Sequence, residues 1–574
     1  MGAGSGRALT AVPAPFLVRF GPLSRAEVTM VEGIGSGMSD RVGSGGLPQE
    51  GDEDRRVRAA LIRALLLGGS DVPAMHEKGL RLSGAWITGP LDLEGCRVPL
   101  DIGLQDCRFD AAPVLRSAVT DTVAFDGSYL PGLPADRLEA RGDILLRSAT
   151  VTGPISLRGA RIGSDLVMDG MTLNHEGDRA LGAERIFIRG SALMRGATVR
   201  GGVALLGARI GGDLDLVGSS IERPGAPAVE ADSAEITGDA AFRQARITGM
   251  VSLVTARIGG DVDLTGTHAA NPGDVAVRLN RTVVGGALFL RDGAAIDGAL
   301  SLNGAELGAI TDEAASWPKP GDLLLNRCLY KAFLGAPVGS AERLDWLSRQ
   351  NPSRWGEDFW PQPYEHLARV LAEMGHDDDA MVVLLEKDRL WRRAARQRAP
   401  SLALRLAMTL RDAILGITIG YGRRPLRALI WLLVLGLMGW AVYAVLEREG
   451  AMRPNVSVIL RSPEWVLCGV PEGQELFLVS LGTMRSGLAK PGQTQLSCFY
   501  DQPESAAYPK HNALMLSVDT LIPVMETGQR DFWSPDTRTP LGRAGKAFLY
   551  LQTLAGWALS LLAVAGFSGI VKPK

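Results

Sequence analysis

Apolar and polar positions alternate on a fixed beat through the first half of the chain. The pattern Φ-x-Gly-x-Φ-x-Φ, with Φ apolar, starts at Ala140, Val151, Ile162 (where Ser164 takes the glycine place), Ile188, Val199, Ile210, Ile236, Ile247, Ile258, Val284 and Ile296. Successive starts lie 11, 11, 26, 11, 11, 26, 11, 11, 26 and 12 residues apart, so three copies form a super-repeat of 48 residues. Self-similarity at a fixed period marks a solenoid, whose units bury their apolar faces only by stacking on one another. Within Arg209-Ile210-Gly211-Gly212-Asp213-Leu214-Asp215-Leu216, Leu214 and Leu216 alternate with Asp213 and Asp215, the period of a strand with one buried and one wet face. Gly212 stands where a corner requires positive φ or close approach of the next rung. Two units of 11 make a coil of 22, and each gap of 26 reads as 11 plus a 15-residue excursion such as Glu222-Arg223-Pro224-Gly225-Ala226-Pro227, repeated on one side of the stack. Residues 80–310 are therefore expected to form one parallel β-solenoid, making the fold mainly β.

The flanks of the repeat read differently. Residues 1–52 are rich in Gly, Ser and Pro, lack periodicity and lack the compact apolar core of a secretory signal, and are read as disordered. Helical spacing from Asp54 to Leu67 gives a capping helix within 53–79. After the solenoid the apolar period changes from two to about 3.6. Leu367, Val370 and Leu371, then Ala380, Val383, Leu384 and Leu390, outline a helical hairpin in a junction over 311–400, with Gly375 closing one helix and Asp377-Asp378-Asp379 opening the next.

Two later stretches are long and apolar enough to cross a bilayer: residues 428–446 hold 19 positions without a charge, and residues 547–571 hold 25. Between them lies a domain over 447–545. Residues 387–427 carry 11 Lys/Arg against two acidic residues, ending in a basic juxtamembrane segment over 401–427, whereas residues 447–545 carry nine basic and 11 acidic ones. The positive-inside rule puts the solenoid in the cytoplasm and 447–545 outside, with Arg423, Arg424 and Arg427 at the membrane entry and Lys572 and Lys574 returning the C-terminus inward. Gly556, Gly566 and Gly569 of the second stretch give another helix room to approach closely. Cys468 and Cys498 both fall in the outer domain and are read as a disulfide, while Cys96, Cys107 and Cys328 fall on the cytoplasmic side.

Charge narrows the partners. Residues 81–310 hold 22 arginines, no lysine and 28 Asp/Glu, a net of 22 − 28 = −6, and the whole chain has a formal net charge of −2. That gives no basic stripe for nucleic acid. The expected partners are membrane lipids, other proteins and further copies of the chain. The sequence carries no Gly-x-Gly-x-x-Gly before a helix, no Walker loop and no Cys-x-x-Cys, and its six histidines are scattered, so no catalytic, cofactor or metal residues are assigned. Thr418-Ile419-Gly420-Tyr421-Gly422 looks like a potassium selectivity filter, but it precedes the first apolar stretch beside Arg423-Arg424-Pro425 and reads as a turn. Residues 514–524, with Ser517, Asp519, Thr520 and Pro523, are apolar but too short to span. They read as the core of the outer domain, with a re-entrant or interfacial element as the alternative.

Taken together, Tyr364-Glu365-His366-Leu367, Gly375-His376 with Ala380, Gly420-Tyr421-Gly422-Arg423-Arg424-Pro425 and Ser517-Val518-Asp519-Thr520-Leu521-Ile522-Pro523 resemble a family of bacterial membrane proteins. That family combines a pentapeptide-repeat-like β-helix with two C-terminal spans, and some members are labelled membrane-associated oxidoreductase. The resemblance covers nearly everything after residue 54. It implies this architecture in a bacterial inner membrane, and its label implies a redox activity for which the motifs supply no cofactor site. The leading expectation is a membrane-anchored scaffold linking envelope sensing to cytoplasmic partners. A two-span channel or signalling protein comes second and the oxidoreductase third.

Overall fold

A computed structural model describes residues 14–567 apart from 178 and 425. Among these residues the chain forms two compact units, one up to Lys387 and one from Asp388 onward. The first is a parallel β-solenoid of about 11 turns followed by helices. Each 11-residue unit gives two short strand segments, such as Glu139–Ala140 and Ile144–Leu145, and the next unit gives Thr150–Val151 and Ile155–Ser156. Four segments make one coil, split between two sheets. Stacking is parallel and in register: Ala140 on Ile162, Ile144 on Leu166, Val151 on Leu173 and Ile155 on Leu181. Ile210, Leu214 and Leu216 point inward, with Leu214 and Leu216 fully buried, and Asp213 and Asp215 point outward.

The excursions are smaller than expected. Thr172–Asn174 and Leu181–Gly182 occupy the regular strand places, so a coil with an excursion exceeds a plain one by only 26 − 22 = 4 residues. The longer strands Ser220–Glu230 and His268–Arg278 mark the same place two and four coils on, in the same sheet. The glycine at the unit corner is explained by close approach. Gly212 has ordinary negative φ, and a Cβ there would collide with Ser191 and the Gly190 backbone of the previous coil.

The outward aspartates form a ladder that alternation alone does not reveal. Asp143 accepts the backbone N–H of Asp165 at 2.9 Å, Asp165 that of Ser191 at 2.7 Å, Asp213 that of Asp239 at 2.8 Å, Asp239 that of Asp261 at 2.7 Å and Asp261 that of Ala287 at 2.7 Å. The Ser191 hydroxyl accepts from Asp213 and closes the gap between the two runs. A Cβ at Gly238, Gly260 or Gly286 would strike the aspartate reaching up from the coil before, so the glycine and the ladder require each other.

Both ends of the solenoid differ from the expectation. The N-terminal residues read as disordered include, from residue 14 on, helix α1 (Ala14–Phe20), helix α2 (Arg25–Gly33) and a strand, Asp40–Arg41, that pairs with Leu82–Ser83. The Ser24–Glu27 capping box starts α2, Arg58 binds Glu27 at 2.7 Å, and Phe16, Met30 and Val31 are buried. Residues 1–13 lie outside the described residues. The expected capping helix begins as a strand, Arg56–Arg58, and becomes helix α3 (Ala59–Leu67), with Leu61, Ile62 and Leu65 buried against the stack. At the other end the coils run past 310, through Leu323–Leu324 and Leu329–Tyr330. The fully buried Arg343 of helix α4 (Ser340–Ser348) closes that end, holding Asp312 at 2.7 and 2.9 Å. Helix α5 (Gln362–Glu373) docks there through His366, whose Nε2 lies 2.9 Å from the Tyr330 backbone, and helix α6 (Asp377–Gln397) follows.

The second unit contains helix α7 (Leu402–Ile419), helix α8 (Leu426–Arg448) and the long final helix α14 (Pro540–Phe567). Between α8 and α14 lie short helices α9 to α13 (Ser457–Leu460, Pro463–Leu467, Gln495–Tyr500, Ala513–Leu521, Gln529–Phe532) and the antiparallel pair Met452–Pro454 with Trp533–Pro535. α8 and α14 are long and apolar enough to cross a membrane. The turn Gly420–Gly422 joins α7 to α8, so the filter-like motif is a helix stop, with Gly420 in the left-handed region at φ 54°. Gly569, Lys572 and Lys574 lie outside the described residues.

Candidate functional site: a short helix wedged between two apolar helices

Residues 514–524 are more than the core of a small domain. Asn512 caps α12, accepting the N–H groups of Leu514 (3.0 Å) and Met515 (3.1 Å), and the helix then runs between α8 and α14. Its first turns join an apolar cluster of Ala513, Leu516, Trp465, Phe499 and Trp533 with Tyr443 and Leu446 of α8 and Leu549 of α14. Its last turn reaches the middle of both long helices. A Cβ on Gly556 would meet the Leu521 carbonyl, and a Cβ on Gly439 would meet Ser517 and Gln552. Gly556 thus admits a neighbour closely, as its sequence position suggests, and the neighbour is α12. Ile522 is extended before Pro523, which ends the helix, and Val524 stands 90% exposed beyond it. Asp519 fixes the return of the chain by accepting the backbone N–H of Thr527 (3.0 Å) and Arg530 (2.9 Å).

A buried polar chain runs through this wedge. The Tyr443 hydroxyl donates to Gln552 Oε1 at 2.8 Å. Gln552 Nε2 donates to Ser517 Oγ at 2.9 Å, and Ser517 donates onward to the Gly436 carbonyl at 2.8 Å. Thr520 bonds back to the Leu516 carbonyl of its own helix. Tyr443, Ser517 and Gln552 are all buried, so each hydrogen bond is made where an unpaired group would cost about 1–3 kcal/mol. Sequence reasoning selected Ser517, Asp519, Thr520 and Pro523, read Tyr443 only as an interface anchor or packing residue, and missed Gln552 and Gly439. The signal was a lone glutamine inside an apolar run of 25 residues.

Cys468 and Cys498 form a disulfide with Cα atoms 5.5 Å apart, inside the same apolar cluster. The three arginines expected at a membrane entry part company. Arg423 is committed to Asp388 at 2.6 Å, whereas Arg424 and Arg427 are exposed. Asp412 holds Arg392 (2.9 Å), Arg396 (2.7 Å) and Arg411 (3.1 Å). Burial opposes the Asp412 charge, and the hydrogen bonds from these arginines outweigh burial and keep its carboxyl below the usual range. The only two acids of the basic segment 387–427 are thus its internal counter-ions.

These features define a solenoid protein with two candidate membrane-spanning helices and a helix packed between them. No family model, no curated protein and no solved structure matches the chain.

Proposed function

We propose that this protein is a membrane-anchored scaffold of a bacterial inner membrane, with α8 and α14 crossing the bilayer, the solenoid in the cytoplasm and residues 449–539 outside. The observation that carries this reading is the apolar surface along both helices. Leu433 is 64% exposed, Leu554 68% and Leu561 63%, a surface that water tolerates poorly and lipid accepts. The charge asymmetry on either side of α8 and the disulfide in the intervening domain support the orientation. Partners in this reading are lipids, proteins that read the mixed-charge solenoid face, and further copies of the chain.

The native thiols are poor topology probes, because burial pushes Cys107 and Cys328 up to about 12. Exposed positions serve better. In a Cys96→Ser background, an impermeant maleimide applied to intact cells should label Val479→Cys and should reach Leu334→Cys only after lysis. The reverse order would invert the topology and overturn the reading.

The second reading is a channel, favoured by α12 entering between the two long helices with a polar chain at its flank, an arrangement suited to a re-entrant pore element. Reproducible unitary currents from purified protein in planar bilayers, altered by Ser517→Ala, would favour it over a scaffold. The oxidoreductase rests on the family resemblance alone, and a flavin, haem or quinone spectrum in the purified protein would support it.

A further inference from the structure

We propose that α7 lies in the plane of the membrane interface as an amphipathic helix, with its aliphatic stripe at the headgroup–acyl boundary of an anionic bilayer. The two faces of α7 have different tasks. Asp412, Leu415 and Ile419 point into the protein: Asp412 to its arginines, Leu415 and Ile419 to Ala428 near the start of α8 and to Leu562 and Ala563 near the end of α14. Steps of three and four residues place Leu402, Leu406, Leu410, Ile414 and Ile417 together on another face, over about a third of the helix circumference. All five are exposed, Leu402 at 70% and Leu410 at 65%.

The occupant of that face is identified by continuity and by charge. α7 is anchored at the ends of the two helices whose own exposed surfaces are apolar, including Leu426, Leu429 and Ile430 at the start of α8 and Val564 near the end of α14. Arg405 and Arg411 flank the stripe on either side, each exposed although Arg411 also bonds Asp412, and Arg424 and Arg427 stand exposed beside the turn that follows. An aliphatic stripe with cations at both margins suits acyl chains below and anionic headgroups around it, with arginine stems lying along the apolar surface. A deep-spanning helix needs neither margin.

The inference rests on the membrane reading above, and one experiment separates the two. The full-length chain with Cys96→Ser is reconstituted in vesicles of phosphatidylcholine and phosphatidylglycerol in equal parts. An environment-sensitive fluorophore is placed in turn at Leu406→Cys, Leu433→Cys and Asp501→Cys, all exposed positions, and quenched with lipids brominated near or far from the headgroup. At Leu406 the shallow bromines are expected to quench more than the deep ones, by about twofold. At Leu433 the deep bromines should dominate, and at Asp501 neither should act. Quenching at Leu433 with none at Leu406 overturns the interfacial helix and leaves the spans standing. Absence of quenching at both overturns the membrane reading itself. Equal shallow and deep quenching at Leu406 also overturns an in-plane helix. Vesicles of phosphatidylcholine alone should weaken the Leu406 signal, and an unchanged signal would remove the anionic headgroups from the proposal.

Discussion

Asp239 illustrates how much a single outward side chain carries in this fold. Its carboxylate accepts the Asp261 N–H one coil on, while its own N–H is bound by Asp213 one coil back. Asp239→Ala should therefore lower unfolding free energy by about 1–3 kcal/mol, while Asp239→Asn, which keeps an acceptor, should cost less. Equal urea midpoints for alanine and wild type would rule out a stabilising ladder. Asp40 acts in the opposite sense. Burial pushes its carboxyl up to about 6, so between about pH 4 and 6 the folded chain keeps a proton that the unfolded chain has lost. Stability is full below that window and declines as pH rises through it. Asp40→Asn should match wild type near about pH 4 and exceed it near about pH 7, as read by urea unfolding at the two conditions.

At the scale of elements, α12 depends on two kinds of constraint, a polar chain and a staple. Gln552→Ala would strand the Tyr443 hydroxyl and remove a donor from Ser517, and should cost about 1–3 kcal/mol. Hydrogen exchange in α12 should rise with it, and unchanged protection there would show that packing alone holds the wedge. The disulfide joins residues 30 apart in sequence, so Cys498→Ser should destabilise residues 449–539 by about 3–4 kcal/mol on the chain-entropy model. Limited proteolysis of that segment, with and without reductant, measures it. The existence of α5, α6, α8 and α14 was legible from apolar spacing and run length. The role of α12 was not, because a short, mostly apolar segment of nine residues suits a domain core and a wedge between two long helices equally well, and only contacts to Gly436, Gly439 and Gly556 separate the two.

For the whole molecule, the solenoid is a stack in which each coil contacts only its neighbours. Leu214 is fully buried between Ala192 and Ala240, so Leu214→Asp buries an unpaired charge and should cost several kcal/mol, on the order of 3–5. Asp215→Asn on the wet face should be nearly neutral in thermal unfolding, and equal effects of the two would overturn the inward assignment. The sequence by itself determined the solenoid, its period, its buried positions, the cysteine pair and the two long apolar helices. Each of these repeats a local signal: a fixed spacing, an uninterrupted apolar run, or two cysteines in one segment. Tertiary structure alone decided where the stack ends, because the terminal coils lack the glycine motif and are recognised only by strand pairing. It also decided which charges are internal counter-ions and what lies between α8 and α14. Those outcomes depend on groups distant in the chain, such as Tyr443 and Gln552, whose pairing has no period to reveal it.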